Sequence, residues 1–307
     1  MHLQIVDLDG SLTEQASLRE AAAWQSVRTF DFRDLGPRLR LWARGRTIDE
    51  TRRRLDEAGV RAEAAVTLLG SGDFHHLAAL LLERVREPFT LVHFDNHPDW
   101  VRFAPRWHCG SWMTLALALP KVARAITLGP CSSDLDNPGV KGGNLGALDT
   151  GRLVLFPWHH LPSRIWRRIA DGPGHVCARG RLEWRNLAGM PPDEAVSAML
   201  AAVPTEAVWI SIDKDVLPED EVVTNWDQGH MPLDALLRFI AALGAQRRII
   251  GADVCGEYAP PRHANLFKRW EARFDQPQRG DIDAARLRAN ERVNRALLAA
   301  IAGAAAC

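Results

Sequence analysis

Short apolar segments alternate with amphipathic segments along most of the chain. Continuous apolar runs rich in β-branched residues are typical of buried strands, and the intervening segments repeat their apolar positions at helical spacing. The pattern predicts strands in LQIVDLD and SVRTFDF and over 65–70, 89–95, 125–129, 153–158, 208–213 and 249–254. It predicts helices over about 74–86, 111–119, 192–203, 233–244 and 282–303, and an earlier helix that begins with the capping-box pair Thr47 and Glu50.

Apolar strands that alternate with helices predict a parallel sheet with helices on both of its faces. We therefore expect an α/β protein with three layers, α/β/α, around a central, mostly parallel sheet. No internal repeat or low-complexity linker divides residues 1–307, so we expect a single domain. Segments 130–150 and 170–190 are rich in Gly, Pro, Asn and Asp and are expected to be long loops around the opening of a site.

Charge and cysteine usage argue against several classes of protein. The 38 basic and 38 acidic residues give a formal net charge of +0, so no overall field favours nucleic acid or a membrane surface. No apolar run is long enough to span a bilayer, and the N-terminal segment MHLQIVDLDGS does not have the pattern of a signal peptide. The five cysteines, Cys307 among them, are scattered and form no CxxC pair, which argues against a disulfide framework or a structural zinc site. We expect a protein of the reducing cytoplasm.

Carboxylates and imidazoles follow four of the predicted strands. In folds of this class, ligands bind beyond the carboxyl ends of the strands. A buried carboxylate is costly unless it is paired or binds a metal, and oxygen-rich sites with a few histidines suit Mn²⁺. Two such ions, roughly 3.5–4 Å apart, can share carboxylates and activate a water. The strand-end residues are Asp73, His75 and His76; Asp95, His97 and Asp99; Asp213 and Asp215; and Asp253 and Glu257.

Each of these motifs has a simpler explanation when it is taken alone. A DxHxD segment can be a loop with solvated charges, aspartate is common where a strand turns into a helix, and a His-His pair can begin a helix with one satisfied, buried ring. These explanations do not account for three such motifs at successive strand ends. The combination predicts a metal centre.

With these residues in view, the chain resembles the ureohydrolase superfamily, whose best-known member is arginase. That family carries Gly-Gly-Asp-His-Ser, then Asp-Ala-His-x-Asp, then Ser-x-Asp-x-Asp. Here GSGDFHH, DNHPD and SIDKD stand in the same order, and the resemblance covers roughly residues 64–260. It implies the arginase-like fold. The first motif departs from the family because Phe74 separates the aspartate from the histidines; this leaves the ligand open between His75 and His76, and His75 is nearer to the family spacing.

The resemblance also implies two Mn²⁺ ions and a set of residue roles. One ion would bind His75, Asp95, Asp99 and Asp213, and the other would bind Asp95, His97, Asp213 and Asp215, so Asp95 and Asp213 would bridge them.

Three further roles follow from the same resemblance. Asp215 would also orient the proton of the attacking nucleophile. The proton-shuttling histidine would be His108, in RWHCGSW, and the glutamate that pairs with the guanidinium would be Glu257, which falls one residue later than in the family.

The implied reaction is hydrolysis of a guanidino group to urea and a primary amine. A planar, cationic substrate suits a carboxylate-bearing site, because a carboxylate and a guanidinium form bidentate pairs. The loop WVRFAPRWHCGSW lacks the Asn- and Ser-bearing pattern by which arginase holds free arginine, and it is rich in tryptophan. In this the chain is similar to peptide arginases, which convert arginine in a precursor peptide to ornithine, and we expect such a substrate. Alternatives are free arginine, agmatine or another small guanidino compound; a deacetylase-type amidohydrolase with one zinc; and a non-catalytic binding protein. Homo-oligomerisation stays open.

Overall fold

The computed structural model describes residues 1–13, 15, 18, 24–280 and 282–306. Within them, eight strands pair in parallel to form the main sheet. The strands of this sheet are β1 (His2–Asp7), β2 (Val27–Asp31), β3 (Ala65–Leu68), β4 (Phe89–Phe94), β5 (Val122–Leu128), β6 (Leu153–Phe156), β10 (Ala207–Asp213) and β11 (Arg248–Cys255). Their order across the sheet is β2-β1-β3-β11-β10-β4-β5-β6.

Helices cover both faces of this sheet. Alternate residues of one strand point to opposite faces, and Leu91 and Val92 of β4 accordingly pack into two separate apolar clusters. This confirms the expected three-layer α/β/α architecture. The helices are α1 (Gly36–Leu39), α2 (Gly45–Glu57), α3 (Ala78–Leu82), α4 (Trp112–Ala118), α5 (Leu145–Asp149), α6 (Pro192–Ala202), α7 (Leu233–Gln246), α8 (Leu266–Asp275) and α9 (Ala284–Ala304).

A small antiparallel sheet occupies part of the region that was expected to be loop. In segment 170–190, Leu182 and Trp184 are buried while Arg181 and Glu183 are exposed, which is the alternation of a half-buried strand. The Gly- and Pro-rich composition hid this pattern, and the expectation of a continuous loop is wrong there. The three strands are β7 (Ser163–Arg164), β8 (His175–Ala178) and β9 (Arg181–Trp184), in the order β7-β9-β8.

Two helices differ from their predicted form. The capping box is wrong, because α2 begins at Gly45 and no side chain caps its first turn. The helix expected over 74–86 is a short 3-10 helix over Gly72–Leu77 that continues into α3. Among the described residues, no helix is both long enough and apolar enough to cross a bilayer.

Candidate metal centre

The four central strands of the main sheet present the candidate residues at one edge. β3, β11, β10 and β4 are neighbours in that order, and the last residue of β10 pairs with the last residue of β11. All four run in the same direction, so the turns that follow them meet at the carboxyl edge of the sheet.

His75 lies at the centre of the first group of candidate ligands. Its Nδ1 is 3.2 Å from Asp95 Oδ2, 3.4 Å from Asp99 Oδ2 and 3.6 Å from Asp213 Oδ2. All of these side chains are buried. His93 adds a second imidazole, with its Nε2 2.9 Å from Asp95 Oδ2. Ligand atoms of His75, His93, Asp95 and Asp99 lie within 4.8 Å of one another, which is a spacing that one metal ion can bridge.

Hydrogen bonds fix the orientation of the His75 ring. Its Nε2 is 2.9 Å from Ser211 Oγ, and that hydroxyl donates to Asp253 Oδ1 at 2.7 Å, so Nε2 carries the proton. Trp209 Nε1 donates to the other Asp253 oxygen at 2.6 Å. His75 Nδ1 is buried and has no hydrogen-bond partner among the described residues. Its lone pair therefore faces the three carboxylates, as a metal-binding histidine does when its other nitrogen is held.

His97 forms a second group on the other side of Asp95. Its Nδ1 is 3.0 Å from Asp215 Oδ2 and 3.4 Å from Asp95 Oδ1. Its Nε2 is 3.0 Å from Asp227 Oδ1, and Asn96 Nδ2 donates to the other Asp227 oxygen at 3.2 Å. A metal-binding histidine commonly donates a hydrogen bond from its other ring nitrogen to a carboxylate, which fixes the orientation of the ring. The sequence analysis did not identify Asp227; its only signal was an aspartate in the segment that follows the third motif.

The remaining two residues of the first motif lie outside these groups. His76 is fully buried, neither of its ring nitrogens has a hydrogen-bond partner among the described residues, and burial lowers its pKa well below the usual value. Asp73 is already paired: its carboxylate forms an ion pair with Arg40 and accepts a hydrogen bond of 3.0 Å from Trp226 Nε1. The structure thus brings His75, and not His76, to the carboxylates.

Burial and mutual repulsion raise the pKa values of three of the carboxylates. Burial also opposes ionisation of Asp95, but its contacts with three histidines outweigh burial and hold its pKa well below the usual value. Burial and the charge of Asp95 raise the pKa of Asp99 to about 6 and also raise that of Asp213. Burial and the charge of Asp213 raise the pKa of Asp215 well above its usual value. Such a site holds protons that a divalent cation displaces on binding.

The donor set fits a hard or borderline divalent cation better than a thiolate-preferring one. Cys255 lies beside Asp213, and its Sγ donates to Asp213 Oδ2 at 3.2 Å. Burial and the charge of Asp213 raise the pKa of this thiol well above the usual value, so it stays protonated. The available ligands are therefore carboxylate oxygens and imidazole nitrogens, and the unpaired, buried Nδ1 of His75 shows that they suit a bound cation.

A cavity of about 350 Å³ opens above the two groups, and His108 lines it. His108 Nδ1 accepts a hydrogen bond of 2.8 Å from the Gly110 N–H, which leaves Nε2 to carry the proton. That nitrogen is 3.5 Å from Glu271 Oε1, and Trp42 Nε1 donates to Glu271 Oε2 at 2.6 Å. Burial opposes ionisation of Glu271, but its contacts with His108 and Trp42 outweigh burial and lower its pKa. Glu271 is a second residue that the sequence analysis missed.

Glu257 does not line this cavity. Its buried carboxylate forms an ion pair with the equally buried Lys214. Asn294 Nδ2 donates to its Oε1 at 2.6 Å, and Asn290 Nδ2 donates to its Oε2 at 3.1 Å. These contacts hold both carboxylate oxygens away from the cavity, so the structure does not bring Glu257 together with the other candidate residues.

The two histidines of the first motif can be distinguished by matched substitutions. We expect His75→Ala to lower the affinity for one metal ion, because Nδ1 faces three carboxylates. The loss should exceed the roughly 10–100-fold that follows when a residue that only hydrogen-bonds to a metal ligand is removed. His76→Ala serves as its control and should keep both ions while lowering thermal stability, because the ring is buried. Metal content after dialysis and thermal unfolding measure the two effects. Loss of metal in His76→Ala alone would reverse the assignment.

Comparisons with known proteins find relatives by sequence and by structure. No protein-family model matches the chain. A protein of Thermotoga maritima that is described only as uncharacterised is 26 % identical over 259 residues, covering 84 % of this chain and 81 % of that protein.

Two solved structures share the fold over nearly the whole chain. Proclavaminate amidino hydrolase from Streptomyces clavuligerus superposes with a TM-score of 0.60 at 12 % identity and covers 99 % of this chain and 91 % of its own. Entamoeba histolytica arginase in complex with L-ornithine superposes with a TM-score of 0.60 at 11 % identity and covers 98 % of each chain. At these identities the likeness shows the fold. The expected arginase-like fold is confirmed.

Proposed function

We propose that this protein is a binuclear manganese-dependent ureohydrolase that hydrolyses the guanidino group of a peptide arginine to give urea and ornithine. The observation that carries the proposal is the pair of imidazole groups on either side of Asp95. His75 Nδ1 lies 3.2 Å from one oxygen of Asp95, and His97 Nδ1 lies 3.4 Å from the other. The residues that would hold the two ions are His75, Asp95, His97, Asp99, Asp213 and Asp215.

The side chains around the cavity supply the other parts of the reaction. When bound, the two ions would acidify water and stabilise negative charge. Asp215 takes up the proton of the water that attacks the guanidinium carbon. The bond from that carbon to the leaving nitrogen breaks, and His108 Nε2 gives its proton to the departing amine. Glu271 holds His108 in the orientation that this transfer needs.

The lining of the cavity suits a cationic substrate. Besides five of the six candidate ligands, all but His75, the carboxylates of Asp134, Asp227 and Asp275 line it. A cleft lined by charges of one sign attracts ligands of the opposite sign, and a planar guanidinium can pair with a carboxylate through two hydrogen bonds. Glu257 is engaged by Lys214, and both oxygens of Asp227 are engaged by His97 and Asn96. Asp134 lies beside Lys141, so we assign recognition of the guanidinium to Asp275.

The rim of the cavity supports a peptide over a free amino acid. Phe103 follows the cavity residue Val101 and is 60 % exposed. An exposed aromatic side chain beside an acidic cavity offers a contact for the residues that flank an arginine. The structural neighbours, an amidino hydrolase and an arginase, favour a small guanidino compound as the second candidate. A one-zinc deacetylase is disfavoured, because His75 and His97 form two groups that share Asp95.

A urea-release screen tests the proposal after reconstitution with Mn²⁺. The substrates would be free arginine, agmatine, guanidinobutyrate and a panel of arginine-containing peptides. We expect metal content near two equivalents and the highest kcat/KM with a peptide. Highest activity on a free compound would move the assignment to the second candidate. Full activity with a single tightly held zinc, or no urea from any substrate, would reject the function. The scattered free cysteines support a location in the reducing cytoplasm as part of the same proposal.

A further inference from the structure

α8 exposes a stripe of large apolar side chains to solvent. Leu266, Phe267, Trp270 and Phe274 are 74 %, 61 %, 60 % and 69 % exposed. The three aromatic rings contact one another along the helix in tilted arrangements, with centroids 6.2 Å apart for Phe267 and Trp270 and 4.7 Å apart for Trp270 and Phe274. A surface helix normally turns such a stripe towards the core. A contiguous apolar patch on the outside marks an interaction site.

A basic cleft lies beside this stripe. Its volume is about 620 Å³, and no aspartate or glutamate stands among the described residues that line it. Arg269 and Arg273 are exposed there, and their side chains make no hydrogen bond or ion pair within the described part of the chain. Arg279 also lines the cleft, but its guanidinium forms an ion pair of 3.1 Å with Glu219, so Arg269 and Arg273 are the charges that lack a partner there. The cleft therefore presents positive charge with little counter-charge of its own.

The basic cleft adjoins the metal centre. Neighbouring residues line one cavity or the other: Trp226 and Asp275 line the metal-centre cavity, whereas Asn225 and Gln276 line the basic cleft. α8 itself belongs to both, because Asp275 lines the metal-centre cavity and Glu271, which flanks the stripe on the helix, contacts His108. A chain bound along the cleft and stripe would be held next to the opening of the site.

We infer that the α8 stripe and the basic cleft together bind an acidic, apolar-containing segment of the peptide whose arginine enters the metal centre. The inference rests on the proposed function for the identity of that peptide. Charge complementarity selects an acidic segment, since unpaired arginines favour carboxylates. A second copy of this chain fits less well. In a twofold contact across α8, Arg269 and Arg273 would face their own counterparts.

Direct binding tests the surface without depending on catalysis. The probes would be fluorescein-labelled synthetic peptides with one arginine, joined through linkers of several lengths to a Glu- and Leu-rich segment. One control peptide would carry Lys in place of Glu, and another would carry Ser in place of Leu. We expect only the acidic, apolar peptide to bind, with an affinity that falls as salt rises. Equal binding of the three peptides would overturn the inference.

Variants on α8 locate the binding. Two double variants should each lower the binding affinity for the acidic peptide at least tenfold. One combines Arg269→Glu with Arg273→Glu, and the other combines Trp270→Ser with Phe274→Ser. Arg53→Glu reverses one exposed charge on α2, which contributes no residue to the basic cleft, and should leave binding unchanged. Unchanged binding in both double variants would overturn the inference. A shift in molecular mass on light scattering caused by Trp270→Ser with Phe274→Ser would also overturn it, and would identify an interface between copies.

Urea release separates this inference from the proposed function. With Mn²⁺ bound, the α8 variants should raise KM for the acidic peptide at least tenfold and keep kcat/KM for agmatine or an Nα-acetylated arginine amide. This retained activity also shows that the variants fold. Equal loss on both kinds of substrate would overturn the docking role. If no substrate releases urea, the proposed function fails, and the binding measurements still decide whether the surface binds acidic peptides.

Discussion

Replacing Asp95 or Asp213 with alanine should cost more activity than any other single substitution in the metal centre. Asp95 has one oxygen near His75 and the other near His97, so its loss disturbs both groups of ligands at once. Asp213 lies 3.6 Å from His75 Nδ1 and is the second carboxylate that the resemblance assigns to both ions. We expect the rate of urea release to fall by more than the roughly 10–100-fold that follows from loss of a residue that only hydrogen-bonds to a metal ligand.

Metal content and rate should fall together in these two variants. Elemental analysis after Mn²⁺ reconstitution should give well under two equivalents for each. Asp134→Ala is the matched control, because Asp134 lines the same cavity and yet contacts none of the candidate imidazoles. It should keep both ions and most of the activity. An Asp95→Ala protein that held two equivalents and turned over normally would contradict the bridging role.

The sequence predicted the elements that carry the centre, because strand and ligand signals coincide there. DNHPD and SIDKD each follow a continuous apolar run, and the structure has β4 and β10 ending at these motifs, side by side in the sheet. Local patterns identify the end of a strand and the parallel topology brings such ends together, so no knowledge of the strand order was needed.

The supporting residues could not be predicted in this way. Glu271 meets His108 and Asp227 meets His97 across long stretches of chain. Each is an ordinary carboxylate in its own segment, and only the folded chain gives it a partner. Glu257 shows the converse: its motif position suggested the site, but it falls one residue late, beyond Gly256. A shift of one residue at a strand end turns a side chain to the other side, and Glu257 meets Lys214 there.

α8 was missed for a different reason. Phe267, Trp270 and Phe274 repeat at helical spacing, but the sequence analysis assigned no helix or strand to this segment. The structure has a helix here with its apolar stripe exposed. A sequence pattern can show that an apolar stripe needs a partner; it does not show whether the same chain provides that partner.

Replacing His108 with alanine should separate proton transfer from metal binding. His108 belongs to neither of the groups around Asp95, so the variant should keep both ions and its thermal stability. His108 lines the acidic cavity and its Nε2 is held by Glu271, so its loss removes the proton donor for the leaving amine. We expect kcat to fall on the order of 10²–10⁴-fold, the contribution of a positioned acid–base group. Added imidazole should restore part of the rate.

Glu271→Gln should affect the same proton transfer less strongly. The glutamine keeps the shape of the side chain and its contact with Trp42 but removes the charge that faces His108, so we expect a smaller fall in kcat than for His108→Ala. Pre-steady-state urea release and metal analysis on both variants measure the effects. Loss of metal from His108→Ala would make His108 a ligand or a support of one. An unchanged rate would place the proton donor elsewhere, and His93, His159, His160 and His230 would be tested next. Of these, His93 is already engaged, because its Nε2 lies 2.9 Å from Asp95.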